Sequence, residues 1–160
     1  MITQNRLKEL FDYQEGHLVR KVSVQSRSQV GFRAGAFSTR GVVIVSVDYK
    51  RYKAHRLIWL WHYGSLPDEI DHKDNNPSNN NIENLRAATH SMNMRNSRKP
   101  VTNSSGFKGV RFHKQSKKWT AQITLNRKSV YLGSFEAPET AHIAYCDAAK
   151  KHYEEFARFA

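Results

Sequence analysis

Residues 97–106, SRKPVTNSSG, constrain the fold of this chain more than any other stretch. Their Ser, Asn, Pro and Gly favour turns and supply no apolar face to bury. Read as a linker, they divide the 160 residues into 1–96 and 107–160, and each part must close a small core of its own. The lone cysteine, Cys146, excludes an internal disulfide and a multi-cysteine zinc site. A mean hydropathy of -0.72 with no long apolar run excludes a membrane span. The opening MITQNRLKELF has no apolar signal region, so a cytoplasmic setting is expected.

Within 1–96, Thr3 is expected to cap a short helix with Leu7, Leu10 and Phe11 on its apolar face. Residues 17–22 and 42–52 read as strands punctuated by Gly16, Gly31, Gly35 and Gly41, the second as a hairpin turning near 48–51. A helix over 54–63 should bury Leu57, Ile58, Leu60 and Trp61 and stop at Gly64. On this helix Trp59 and Trp61 read as core. His62 reads as surface or packing, and His55 as a structural hydrogen bond in preference to a phosphate contact. Beyond the linker, GVRFH, KWTAQITL and KSVYLGSF read as three strands turning near 115–117 and 126–127. A last helix starts near Pro138 and carries Ala141, Ala144, Tyr145, Ala148, His152 and Phe156 at helical spacing, with Cys146 as a small buried residue.

Charge narrows the partner. The net charge is +12, and from Asn84 to Phe135 there is no carboxylate. Arg86, Arg95, Arg98, Lys99, Lys108, Arg111, Lys114, Lys117, Lys118, Arg127 and Lys128 all fall in that interval. Charge used only for solubility mixes both signs, so a polyanion is indicated. With no basic amphipathic helix to lie on a membrane, that polyanion is nucleic acid.

The segment 69–96, EIDHKDNNPSNNNIENLRAATHSMNMRN, carries the chemistry. Asp71 and His72 are adjacent, Asn84 follows, and Asn93 falls in a helix capped by Thr89. A neutral imidazole suits removal of a proton from attacking water near pH 7. Carboxylate and amide oxygens suit a hard divalent ion that offsets charge developing on a phosphodiester.

These residues, with AHRLIWLWHYG and PDEIDH upstream, resemble the HNH endonucleases of phages and homing elements. The resemblance implies a ββα-metal nuclease core, preceded here by a β-rich segment. It implies His72 as general base, Asn84 as the residue that orients the histidine and steadies the loop, and Asp71 and Asn93 as ligands of one magnesium or manganese ion. His90, one turn earlier, competes with Asn93 for that role.

The stretches GFKGVRFHKQSKKWTAQI and YLGSFEAPETAHIAYCDAA and the closing FARF resemble the ethylene-response-factor (apetala-two) DNA-binding domain. That implies a three-stranded sheet laid in the major groove with one helix packed behind it. Matching positions make Lys108, Arg111, His113, Gln122, Thr124, Ser129 and Tyr131 the DNA-facing set, with Trp119, Ile123 and Leu132 mainly in the core. Thr124 and Ser129 replace arginines of the plant pattern and Tyr131 replaces a tryptophan, so the bases read should differ. Lys114, Lys117 and Lys118 are expected on phosphates, as are Arg95, Arg98 and Lys99.

The expected class is thus α+β, and the whole resembles the small HNH endonucleases of tailed phages. The expected activity is metal-dependent cleavage of double-stranded DNA in the cytoplasm of an infected bacterium, with no membrane and no obligate protein partner. A catalytically inactive DNA-binding regulator is the alternative, and an RNA-binding or structural phage protein is a third.

Overall fold

The computed structural model describes residues 2–23, 29–96, 103–153, 156, 157 and 159. The chain forms two compact units, 1–90 and 91–160, each mixing short helices with small antiparallel sheets.

The first unit opens with helix α1 (Gln4–Leu10), whose N-cap Thr3 accepts a hydrogen bond from the Arg6 amide at 3.3 Å. Phe11, expected on this helix, instead starts strand β1 (Phe11–Gln14), which pairs with β2 (His17–Arg20). The ring is still buried, at 1% exposed, because strand alternation sends it into the core that Leu7 and Leu10 enter from the helix. Gly16 at the hairpin tip has φ +83°, and a Cβ there would come within 2.7 Å of the Asn81 amide nitrogen. Only glycine lets this turn sit against the asparagine-rich loop.

A three-stranded sheet follows: β3 (Ala36–Phe37), β4 (Val43–Val47) and β5 (Lys50–Lys53), with β4 in the centre. Asp48 and Tyr49 make the hairpin turn, both at positive φ. Helix α2 (Ala54–Tyr63) leaves β5 directly and ends at Gly64 in the left-handed conformation. It buries Leu57, Ile58 and Leu60 against Leu7, Leu18 and Val45, while Trp59 and Trp61 pack partly buried against this core. The Trp61 indole Nε1 donates to the Phe11 carbonyl at 3.2 Å, which satisfies its polar end. Strands β6 (Glu69–His72) and β7 (Leu85–Ala88) then form a separate hairpin, anchored in the same core through Ile70 and Leu85.

Helix α3 (His90–Arg95) begins at the boundary between the units. Of the expected linker, residues 97–102 lie outside the described residues, and so do the expected contacts Arg98 and Lys99. Residues 103–106 are fixed to the second unit: Asn103 donates to the Phe107 carbonyl and Ser105 Oγ to the Val110 carbonyl.

The second unit is a three-stranded antiparallel sheet of β8 (Val110–His113), β9 (Lys118–Leu125) and β10 (Lys128–Phe135), backed by helix α4 (Pro138–Tyr153). Asn126 and Arg127, both at positive φ, make the β9–β10 turn. The helix buries Ala141, Tyr145, Ala149 and Tyr153, a four-residue repeat. His152, expected on the buried stripe, is exposed, and Tyr153 takes its place, its hydroxyl donating to the Thr124 carbonyl at 2.7 Å. Tyr145 approaches so closely that a Cβ at Gly109 would fall 2.1 Å from its ring.

Candidate functional site

The β6–β7 hairpin places the first cluster. Its register sets Asp71 opposite Arg86 and His72 opposite Leu85. Cross-strand neighbours share a face, so the ion pair of Asp71 with Arg86 follows from the register alone. Arg86 Nη2 lies 2.7 Å and Nε 2.9 Å from the same oxygen, Asp71 Oδ2. Both side chains are buried, at 10% and 6% exposed.

The loop from 73 to 84 is stitched together by its own polar side chains. The Asn84 amide donates to Asp74 Oδ1 at 2.9 Å and to the Asn79 carbonyl at 2.8 Å, while Asn84 Oδ1 accepts from the Asp74 backbone at 3.2 Å. Asn79 donates to the other Asp74 oxygen at 2.7 Å. Burial raises the Asp74 pKa, but hydrogen bonds from Asn76, Asn79 and Asn84 outweigh it and hold the carboxyl below its ordinary value. The loop is braced from outside by Tyr13, whose hydroxyl accepts from the Ile82 amide at 3.0 Å. Asn84 is thus bonded to both Asp74 and Asn79 across this loop.

The His72 ring bonds to the side-chain oxygen of Asn80, a residue that nothing in the sequence singles out. Asn80 is 2% exposed, its Nδ2 donates to the Ser78 carbonyl, and its Oδ1 lies 3.0 Å from His72 Nε2. An accepting oxygen there puts the ring proton on Nε2 and leaves the lone pair on Nδ1. The signal for Asn80 is diluted by the run of identical residues, Asn79 to Asn81, which gives the sequence no way to choose among them.

His55, in the first turn of α2, packs edge-to-face on His72 with ring centroids 5.0 Å apart. Its expected hydrogen bond is not made at Nδ1, which is buried with no partner among the described residues. Burial, reinforced by the charges of His72, Lys53 and Arg56, lowers its pKa to about 3. A buried, neutral imidazole thus lies against the His72 ring. His62 is half-buried, packed edge-on to Tyr13, and its Nε2 is likewise buried without a partner among the described residues.

His90 is exposed, and its Nδ1 meets Glu69 Oε1 at 2.9 Å. Asn93 lies three residues further along α3, half-buried, and belongs to the second unit. Among the described residues no group of three His, Cys, Asp or Glu side chains is arranged to hold a metal ion.

In the second unit the register gathers the expected contact residues on one face. Ala121 and Ile123 turn inward to α4, so Thr120, Gln122 and Thr124 turn outward. Arg111 pairs with Thr120, His113 with Lys118, Tyr131 with Gln122 and Ser129 with Thr124. The face is polar and open: Tyr131 is 64% exposed. Trp119, Ile123 and Leu132 contribute to the two clusters beneath it. Several residues of the expected set also bond within the protein, His113 to Ser116, Ser129 to Gln122 and Tyr131 to Ser134 among them. Lys118 pairs with Glu136 at 2.8 Å, and the Lys108 ammonium donates to the Arg95 carbonyl at 2.7 Å. The Arg95 guanidinium itself stacks over Tyr153, 5.0 Å from the ring centre.

Comparison with known proteins finds a family match in each half of the chain. Residues 52–95 match the HNH endonuclease family and residues 105–155 match the AP2 domain. The chain is similar to Protein 3.8 of Escherichia phage T7, at 33% identity over 113 residues that cover 69% of this chain and 93% of that protein. No solved structure matches it. No helix among the described residues is long and apolar enough to cross a membrane.

Proposed function

This chain belongs to the HNH endonuclease family and carries an AP2 domain after the nuclease segment, and from that premise we propose that it is a metal-dependent endonuclease of the phage homing type acting on double-stranded DNA. Residues 1–96 would form the nuclease domain and 107–160 the reader, with the 97–106 segment joining them and its last four residues bonded to the reader. Its setting is the cytoplasm of an infected bacterium. The observation that carries the reading is the fixed pose of His72, gripped at Nε2 by Asn80 and packed on its flank by His55.

With Nε2 protonated, His72 Nδ1 takes a proton from water as the water oxygen attacks phosphorus. The bond from phosphorus to the 3′ oxygen breaks, and that oxygen leaves with a proton from solvent. The products carry a 5′ phosphate and a 3′ hydroxyl. Asn84 keeps the loop, and through it Asn80, in register with the ring. Asp71 and Asn93 would hold the magnesium or manganese ion, since each carries a hard oxygen donor of the kind such an ion prefers. When bound, the ion would supply a positive charge opposite the developing phosphorane and leaving oxygen. Arg86 grips Asp71 at Oδ2 through both Nη2 and Nε, which holds the carboxylate in place at the end of β6. Across the second unit, Arg111, His113, Gln122, Thr124, Ser129 and Tyr131 present donors and acceptors to base edges. Lys108, Lys118 and Arg95, with Arg98 and Lys99, supply charge toward phosphates.

The test is conversion of supercoiled DNA to open-circle or linear form with magnesium, with manganese and with EDTA, alongside the His72→Ala protein. Metal-dependent cutting that His72→Ala loses supports the nuclease. Tight binding with intact DNA in both metals makes the chain a DNA-binding regulator instead.

A further inference from the structure

The first unit carries a basic face of its own, apart from the carboxylate-free interval that continues into the reader. Between Gly16 and Val47 the sequence has no carboxylate, while Arg20, Lys21, Arg27, Arg33 and Arg40 fall there. The sheet β3–β4–β5 adds two cations from just beyond this interval, Arg51 and Lys53. Val45 and Val47 turn into the core, at 0% and 4% exposed. Alternation therefore sends Ile44 and Ser46 to the opposite face. The register lays Lys53 beside Ile44 and Arg51 beside Ser46, with Ala36 flanking Ile44 on the other side. Arg51 and Lys53 are exposed.

This outer face borders a groove of about 370 Å³ whose walls include Arg20, Phe32, Arg33, Ile44 and Ser46. Phe32 is 62% exposed, a large ring left in water at the edge of a cationic groove. Among the described residues none of Arg20, Arg33, Arg51 and Lys53 makes an ion pair. The nearby acids are committed elsewhere: Asp48 and Glu9 to Arg6, and Asp12 to Lys21. A merely solvated face would interleave both signs. Two of these cations, Arg20 and Arg33, line the groove beside the exposed ring, and Arg51 and Lys53 stand on the adjoining sheet face; together they complement a polyanion that also offers apolar surface.

Chain continuity ties this face to the cutting histidine. Lys53 is the N-cap of α2, and two residues later His55 packs on His72. The positive charge of Lys53 is felt at His55. Only one residue of chain therefore separates the end of β5 from the imidazole that packs on His72.

We propose that the outer face of β3–β4–β5, with the groove lined by Arg20, Phe32 and Arg33, is a second DNA-binding surface, one that grips the backbone of the duplex within the nuclease unit. The proposal rests on the reading that the substrate is DNA, and it does not require that cutting occur. The surface contacts phosphates without reading bases, so it adds affinity and salt dependence but no sequence preference.

The test uses the full chain with His72→Ala, in EDTA, binding a duplex of about thirty base pairs across a salt series. Removing one phosphate contact lowers the slope of log affinity against log salt by about 0.9. The triple change Arg33→Gln, Arg51→Gln and Lys53→Gln is expected to flatten the slope by about 2 to 3 and to weaken binding at least tenfold at low salt. Arg33→Lys with Arg51→Lys should keep the original slope. The single changes Arg33→Gln and Arg51→Gln sit on exposed side chains and each should remove about 0.9, so the result does not depend on the triple variant folding. Unchanged slope and affinity in all the Gln variants overturn the proposal. So does preferential binding of duplex RNA that these variants abolish, since the face would then serve another partner. If the nuclease reading fails in the plasmid assay, these slopes are unaffected, and the two failures are told apart.

Discussion

The two units use polar residues in opposite ways. Around the β6–β7 hairpin the polar groups are buried: Asp71 on β6 is 5% exposed, Asn80 in the connecting loop 2%, and His55 on the adjoining helix α2 9%. On the β8–β9–β10 sheet the polar residues face outward and the apolar ones, Ala121 and Ile123, are at 0% and 2%. The first arrangement costs stability, because each buried polar group needs a partner. It gains a side chain that cannot wander, which a proton transfer requires. The second costs nothing beyond ordinary strand alternation and leaves side chains able to adapt to base edges. Rigidity is concentrated where bonds would break, and adaptability where a sequence would be read.

The sharpest way to break this contrast is to remove His72. His72→Ala is expected to lower the cutting rate by about 10² to 10⁴, the range for loss of a general base. Duplex affinity in EDTA should stay within twofold. A parallel loss of affinity would show that the hairpin holds DNA as much as it cuts it.

Next in size is the ion pair. Arg86→Met leaves the Asp71 charge buried without its cross-strand partner, an error of about 3 to 5 kcal/mol. The reader offers the matched control in Lys118→Met, which removes an exposed pair with Glu136 and should leave stability unchanged within error. Urea unfolding of both proteins, followed by amide exchange resolved to each unit, checks this. Equal effects would mean that burial does not separate the two units as described.

A smaller effect is expected at Asn80. Asn80→Ala removes a buried partner from His72 and should cost about 1 to 3 kcal/mol in the first unit. Cutting should fall at least tenfold while binding by the reader persists. Asn84→Ala separates loop from ring: it frees Asp74 and Asn79, so its damage should be mainly to stability.

These positions also show what a sequence reveals. The reader was legible strand by strand, because alternation of buried and exposed residues in KWTAQITL is a local, period-two signal. The helix α2 was legible for the same reason at helical spacing. The hairpin was legible only through its motif, since Asp71 and Asn80 are polar residues in buried positions and break the rule that periodicity relies on. Among Asn79, Asn80 and Asn81 only three-dimensional contact distinguishes the one that holds the histidine. Strand β1 was missed because Phe11 fits the apolar face of α1 as well as it fits a strand. Tyr153 was missed by one position because the buried stripe of α4 repeats every four residues instead of drifting at 3.6.

The contrast extends to pH, with opposite signs in the two units. His55 is held neutral, chiefly by burial, with its pKa lowered from 6.5 to about 3. The unfolded chain takes up that proton as pH falls below 6.5, and the folded unit does not until about 3. Stability contributed at neutral pH is therefore lost progressively across that window, by about 1 to 2 kcal/mol at pH 5. In the reader the buried groups are phenols: burial raises both Tyr145 and Tyr153 above the ordinary value of 10. Their contribution is complete below pH 10 and is lost as pH rises through the raised values. The nuclease unit should thus fail first in acid and the reader first in alkali. His55→Phe keeps a ring against His72 and removes the titration, so it should flatten the acid limb between pH 6.5 and 3 while leaving the alkaline limb unchanged. Amide exchange of each unit between pH 4 and 6 reads the difference directly. If His55→Phe leaves the acid limb as steep as before, the buried imidazole is not what makes the first unit sensitive to acid, and the carboxylate network around Asp74, whose lowered pKa gives a loss of the same sign at lower pH, takes its place.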